Sequence, residues 1–357
     1  MSAPLTARKR YAYLDFLRIL AVFLVIVNHT NSIVFRSLTP ANTTWWISVA
    51  WYYVSKIGVP IFVMVSGACL LPRQDSYKKA AGRFLRILIT LVVFSYGYYL
   101  VQLWETYWTW QKALDIPGFL ASIWQHRITD SYWYLYFYLG LMVMLPFLQK
   151  LASAMKKRDL EVFLAISLTV FGVWPLVTHY VPALALPEFF SVPLFGTLIG
   201  LFFAGHYLHT YAGRINRVFC AALFLLSVAG AVLLTGLEYT RADSGANYLF
   251  MDSRTDPALP IVLSAVAVMA LTRSSFEARG PLRAKTGDRL TALGGCAFGI
   301  YLLQGMVIIE TRHRVFDPLR SMMNPLLAAL IWEAGVFLFT LAVVWVLKRI
   351  SLLKKLL

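Results

Sequence analysis

The chain has 357 residues, 59% of them hydrophobic and only 14% charged, with a mean hydropathy of +0.66. That composition excludes a soluble globular domain: about ten membrane spans of some 20 apolar residues each would use most of the chain. The net charge of +16 could suggest nucleic acid, but 23 of the 33 basic residues fall in clusters at alternate ends of the apolar runs, at Arg8 to Arg10, Arg73 to Arg86, Lys150 to Arg158, Arg214 to Arg217, Arg273 to Arg289 and Lys348 to Lys355. The opposite ends hold nine, and Arg18 lies inside the first run. This is the positive-inside pattern, so the expected partners are membrane lipids, not nucleic acid, and both termini are expected to be cytoplasmic.

In chain order the predicted spans are 13–35, 45–71, 84–106, 132–151, 160–180, 189–209, 217–238, 256–272, 291–311 and 325–347. The fold class is therefore all-α, a polytopic helical bundle forming one domain over 1–357, with a short N-terminal segment (1–12) and a short C-terminal tail (348–357). The first run is too long for a signal-peptide core, contains Asp15 and Arg18 and lacks a small-residue cleavage site, so it is expected to be a retained helix. Lys56, Gly58 and Pro60 interrupt the second run, which predicts an interfacial helix followed by a short span. Gly196 with Gly200, and Gly295 with Gly299, are four apart on apolar helices, a spacing that lets backbones approach closely. Cys69, Cys220 and Cys296 all lie in apolar runs and are expected to pack, not to form a disulfide framework.

Ionisable side chains are costly in a bilayer and tend to face a bundle interior or a wet cavity. Arg18 and His29 are eleven residues apart, which turns them to within about 20° of each other on one helix face and separates them by about 16 Å. Asp15 shares that face, too far from His29 to orient it, and is expected to pair with Arg18. Arg83 and Arg86 are three apart where the third span begins. Two guanidinium forks on one face suit phosphate groups, although ordinary interfacial anchors would look the same. On the opposite side, ten Trp or Tyr residues between Trp104 and Tyr138, including Tyr132 and Trp133, form either an interface belt or a sugar-stacking platform. Glu310 ends the ninth span at a depth that could match His29, Glu333 lies within the last span, and Lys56 either attracts an anion or snorkels to the interface. His206 and His209 have no evident third ligand, so no metal is expected.

Several of these segments together resemble the acyltransferase family 3 membrane proteins. YLDFLRILAVFLVIVNHT resembles the family's opening helix, with Asp15, Arg18 and His29 at its spacing. GVPIFVMVSGACLL is similar to its second helix ending in Ser-Gly, and RFLRI to its R-x-x-R-I start of the third. SYWYLYFYLGLMVMLPFL is similar to its aromatic fourth helix, and FGIYLLQ to the penultimate one, with Gln304 where a histidine often follows Tyr-Leu-Leu and Ala68 where an aromatic often follows Ser-Gly. The resemblance covers nearly the whole chain and implies an acyl donor from the cytoplasm, usually acetyl-CoA, and an acceptor hydroxyl on a cell-surface or lipid-linked glycan at the far side of a bacterial inner membrane. In that reading Arg83, Arg86 and Arg18 bind the donor, and His29 is the general base, with Asp15 positioning Arg18. Trp133, Tyr132, Glu310 and Gln304 are the candidates for the acceptor side. The alternative is a polytopic carrier or flippase for a glycan or lipid-linked glycan, which explains the spans but lacks an inverted repeat.

Overall fold

Ala12–Thr30 (α1) lies enclosed among six other helices in the computed structural model. The structure describes residues 11–106, 108–125, 128–186, 196–241 and 258–357. Helix α1 is apolar nearly all round, as a helix enclosed by others must be, and Leu17, Ala21, Val22, Ile26 and Val27 are fully buried. It packs against Thr43–Lys56 (α2), Gly58–Leu70 (α3), Leu259–Arg279 (α9), Ala284–Gly294 (α10), Ala297–Thr311 (α11) and Pro325–Leu347 (α12). The other long helices are Tyr77–Thr106 (α4), Trp133–Ala154 (α5), Lys157–Leu168 (α6), Thr197–Thr210 (α7) and Arg217–Arg241 (α8).

The described residues form helices and no strands, and eight of the helical segments are long and apolar enough to cross a membrane. A ninth span exists if α10 and the segment Ala297–Met322, bent by 48° at their junction, are one crossing. The predicted span 189–209 is described only from residue 196, where α7 runs to Thr210. The helix is interrupted only at Ile57, between α2 ending at Lys56 and α3 starting at Gly58, and Thr43–Leu70 together make one candidate span of 28 residues instead of the expected interfacial helix and short span. Asn42 caps α2 by accepting from the Thr44 N–H at 2.8 Å, and Asn324 caps α12 in the same way from Leu326 at 2.9 Å.

The tightest packing is between α3 and α7, where backbone meets backbone. A Cβ on Gly67 would fall on the Phe202 carbonyl, and one on Gly205 on the Met64 carbonyl. Of the two expected pairs one glycine each makes a close contact, and with a side chain instead of a backbone: Gly200 with Ser167 and Gly299 with Val344, while Gly196 has nothing near its Cβ direction. Residues 108–125 carry two short helices, Trp110–Ala113 and Ile116–Trp124, rather than an open loop. The second long connection, Tyr239–Thr255, lies mostly outside the described residues. At the C-terminus the expected tail holds a short helix, Ser351–Leu356, packed on α4.

The end of the bundle carrying Arg73 to Arg86 and Lys348 to Lys355 is the inner end, which the positive-inside rule assigns to the cytoplasm.

Candidate active site

Helix α1 carries Asp15 and Arg18 into one cavity and His29 into another. The inner cavity, of about 800 Å³, is lined by Asp15 and Arg18 from α1, Ser66, Ala68 and Cys69 from α3, Arg73, Arg86 from α4, and Thr291 from α10. The outer cavity, of about 290 Å³, is lined by His29, Arg36, Lys56, Asp130, Ser131 and Trp133, among others. Their separation along one helix is the eleven-residue step between Arg18 and His29.

At the inner level, Arg18 Nη1 donates to Asp15 Oδ1 at 2.5 Å and Nη2 lies 3.2 Å from Cys69 Sγ. Thr291 donates to Asp15 Oδ2 at 3.2 Å, so the buried carboxylate ties Arg18 to α10. Gly294 makes this approach possible, because any larger residue would meet Asp15. Arg18, Arg73 and Arg86 line this cavity, and Asp15 is the acidic side chain among its lining residues. The surplus positive charge, partly withdrawn from water, favours an anionic guest. Cys69, expected only to pack, is a lining residue.

Arg83 and Arg86 do not act as one fork pair. Arg86 lines the cavity and its Nη2 reaches the Leu356 carbonyl at 3.4 Å. Arg83 turns aside to Asp75, at 2.6 Å, on the loop before α4. Asp75 is 1% exposed at its side chain and is also met by Lys79 at 2.7 Å and by Gln149 Nε2 at 3.0 Å. Burial pushes the Asp75 carboxyl up, but the hydrogen bonds from Lys79 and Gln149 and the Arg83 charge outweigh it, holding the group below the usual carboxylate range.

At the outer level, His29 Nδ1 lies 3.1 Å from Gln304 Oε1. With the amide in this orientation its oxygen accepts from the imidazole Nδ1–H. Gln304 is fully buried on α11 and does not line the outer cavity. Thr30, next in sequence to His29, donates to the fully buried Glu333 at 2.8 Å, and Trp51 Nε1 donates to the same carboxyl at 3.2 Å. The outer end of α1 is thus held by side chains of α2, α11 and α12. Lys56 sits with its Nζ 5.0 Å from the centre of the Tyr52 ring.

The remaining sequence candidates separate. Trp133 lines the outer cavity, whereas Tyr132 is buried with its hydroxyl donating to the Leu302 carbonyl at 2.8 Å. Glu310 pairs with Arg314 at 3.1 Å and does not line the cavity or meet His29. Trp104, Trp110 and Trp124 are widely exposed, as an interface belt requires. His209 Nδ1 contacts the Tyr13 hydroxyl at 2.5 Å, and His206 contacts Thr210.

Three contributors were not singled out from the sequence. Arg73 was one member of a basic cluster, and Tyr134 and Tyr301 were two aromatics in aromatic-rich helices. Both tyrosines line both cavities.

An apolar bundle with a cationic inner cavity and a histidine in an abutting outer one defines a polytopic membrane protein with the means to handle an anionic small molecule from one side. A family model described as an acyltransferase domain matches residues 11–349, and the chain belongs to that family of membrane acyltransferases. No curated protein and no solved structure matches the chain.

Proposed function

We propose that the protein is a bacterial inner-membrane O-acyltransferase that takes acetyl from cytoplasmic acetyl-CoA and delivers it to a hydroxyl of a cell-surface or lipid-linked glycan on the outer side. The observation that carries this reading is the single helix placing Arg18 in a cationic inner cavity and His29 in the outer cavity that abuts it. On its length and motifs we read the chain as resembling stand-alone members of the family, such as the enterobacterial common antigen O-acetyltransferase, and a glycan acceptor is the expectation that follows.

Arg18, Arg73 and Arg86 take the phosphates of the donor, with Asp15 holding the Arg18 guanidinium in place. Arg83 acts behind them, keeping the Asp75 loop against the start of α4. The pantetheine arm then rises through the inner cavity and presents the thioester beneath His29. With Nδ1–H donated to Gln304, His29 Nε2 accepts the proton of the attacking acceptor hydroxyl. The hydroxyl oxygen bonds to the thioester carbonyl carbon. As the tetrahedral intermediate collapses, the carbon–sulfur bond breaks and the imidazolium returns its proton to the departing thiolate. The products are the acetyl ester and free coenzyme thiol, and no metal enters the balance. Trp133 offers the acceptor an apolar ring face, and Arg36 and Lys56 add positive charge at the same cavity.

Transfer of labelled acetyl from acetyl-CoA to surface glycan, measured in membranes carrying the wild type or His29→Ala at equal protein level, tests the reading. Loss of about a hundredfold or more is expected for removal of a general base. Undiminished transfer by the variant would overturn the assignment of His29. Unacetylated acceptor that still reaches the surface in the variant would separate an acyltransferase from a carrier.

A further inference from the structure

Tyr134 and Tyr301 are the two described residues that line both cavities. Their rings meet edge to face, with centroids 5.8 Å apart and planes at 81°. Both are nearly buried, at 7% and 3% exposure, although each borders two open spaces. Tyr301 is pinned, because its hydroxyl donates to the Ser131 carbonyl at 2.6 Å. Tyr134 is enclosed by Phe62, Phe137 and Tyr138, with ring centroids 5.8 to 6.3 Å away. Tyr301 lies one helical turn before Gln304 on α11, so the pair sits directly beneath the His29 contact.

We propose that the Tyr134–Tyr301 pair is the partition between donor and acceptor cavities and sets the largest acyl group that can reach His29. This rests on the acyl-transfer reading above. A thioester arriving from the inner cavity must pass its acyl group beside two fixed rings to meet a hydroxyl in the outer cavity. A pocket wall discriminates by bulk: each methylene that does not fit lowers transfer, and removing the wall removes the penalty. An aromatic pair at van der Waals contact leaves room for a short acyl group and obstructs a long one, which matches acetyl as the donor group. The same rings keep water and ions from running between the two cavities when no donor is bound.

The test has two arms. In the first, transfer from acetyl-, butyryl- and hexanoyl-CoA is compared in wild type, Tyr134→Phe, Tyr134→Leu and Tyr134→Ala. The ratio of butyryl to acetyl transfer is expected to rise about tenfold or more in the alanine variant, less in the leucine variant, and to stay at the wild-type value in the phenylalanine variant, whose ring is kept. An unchanged ratio in the leucine and alanine variants, with acetyl transfer retained, overturns the proposal. The second arm does not depend on activity. Cys69 lines the inner cavity, so in intact cells a membrane-impermeant thiol reagent added outside should label it in Tyr134→Ala but not in wild type, with Cys69→Ala as background. Labelling of Cys69 from outside in wild type, or none in Tyr134→Ala, shows that the pair is not the partition. If the wild type transfers no acyl group from any of the three thioesters, the transferase reading and the size limit both fall, while the labelling arm still decides the partition.

Discussion

His29 and Gln304 are 275 residues apart in the chain and 3.1 Å apart in the structure, joined through the imidazole Nδ1 and the amide oxygen. Gln304→Leu removes the acceptor that fixes the tautomer and leaves a buried N–H unmatched, at about 1–3 kcal/mol. Turnover is expected to fall by roughly 5- to 150-fold, less than for His29→Ala, with the KM for the donor unchanged. Steady-state kinetics on Gln304→Leu and Gln304→Glu decide it; the carboxylate variant retains an acceptor and should lie between leucine and wild type.

The two arginines at the start of α4 should behave differently. Arg86→Ala, which takes a cation from the inner cavity, is expected to raise the KM for acetyl-CoA by about tenfold or more, the scale of one charge-assisted hydrogen bond. Arg83→Ala should leave that KM near wild type and lower thermal stability by about 1–3 kcal/mol, since Lys79 still faces Asp75. Equal KM effects from both substitutions would show that Arg83 also reaches the donor.

Acid should loosen the Asp75 loop. The folded-state value of this carboxyl is depressed, so its contribution is fully present above the ordinary carboxylate value of about 3.9 and is lost as pH falls below it through the folded value. Melting of the detergent-solubilised protein should therefore show a larger gap between wild type and Asp75→Asn at pH 7 than at pH 3. A gap that does not narrow in acid would mean that the charge of Asp75 is not what holds the loop.

Gly205→Ala should prevent the close approach of α3 and α7. The added methyl would meet the Met64 backbone, which cannot rotate away as a side chain could. The expected cost is about 1–3 kcal/mol or more, read as lost protein level and a lowered melting temperature. Gly140→Ala, at a position inside α5 with nothing near the added Cβ, is the control and should not fall below wild type in protein level or melting temperature.

Glu333→Ala strips the Trp51 N–H and the Thr30 hydroxyl of a common acceptor at a fully buried position. The Thr30 hydroxyl can turn to the Ile26 carbonyl at 3.0 Å, so the expected loss is about 1–3 kcal/mol in stability for the Trp51 N–H. Because Thr30 is the residue after His29, turnover should fall as well; full activity in a destabilised variant would confine Glu333 to holding the helices together.

The polytopic helical bundle, most of its spans and the placing of Arg18 and His29 on one helix face were legible in the sequence, because each depends on local composition or on the fixed turn of an α-helix. Hydropathy finds a span without reference to its neighbours, and an eleven-residue spacing determines direction and depth whatever surrounds the helix. The helix break at Ile57 was legible from Lys56, Gly58 and Pro60, but that the two halves continue as one span was not. Which groups meet across helices was decided only by tertiary structure. The RFLRI segment marks two equivalent cations, and only the folded loop assigns Arg83 to Asp75 and leaves Arg86 to the cavity. Glu310 and Gln304 were both candidates to stand near His29, since depth along α11 allows either. The rotation of α11 against α1 turns Gln304 inward and leaves Glu310 with Arg314. Tyr134 and Tyr301 carry no distinguishing mark among so many aromatics, and their role as a shared wall exists only because α5 and α11 bring their rings together between two cavities.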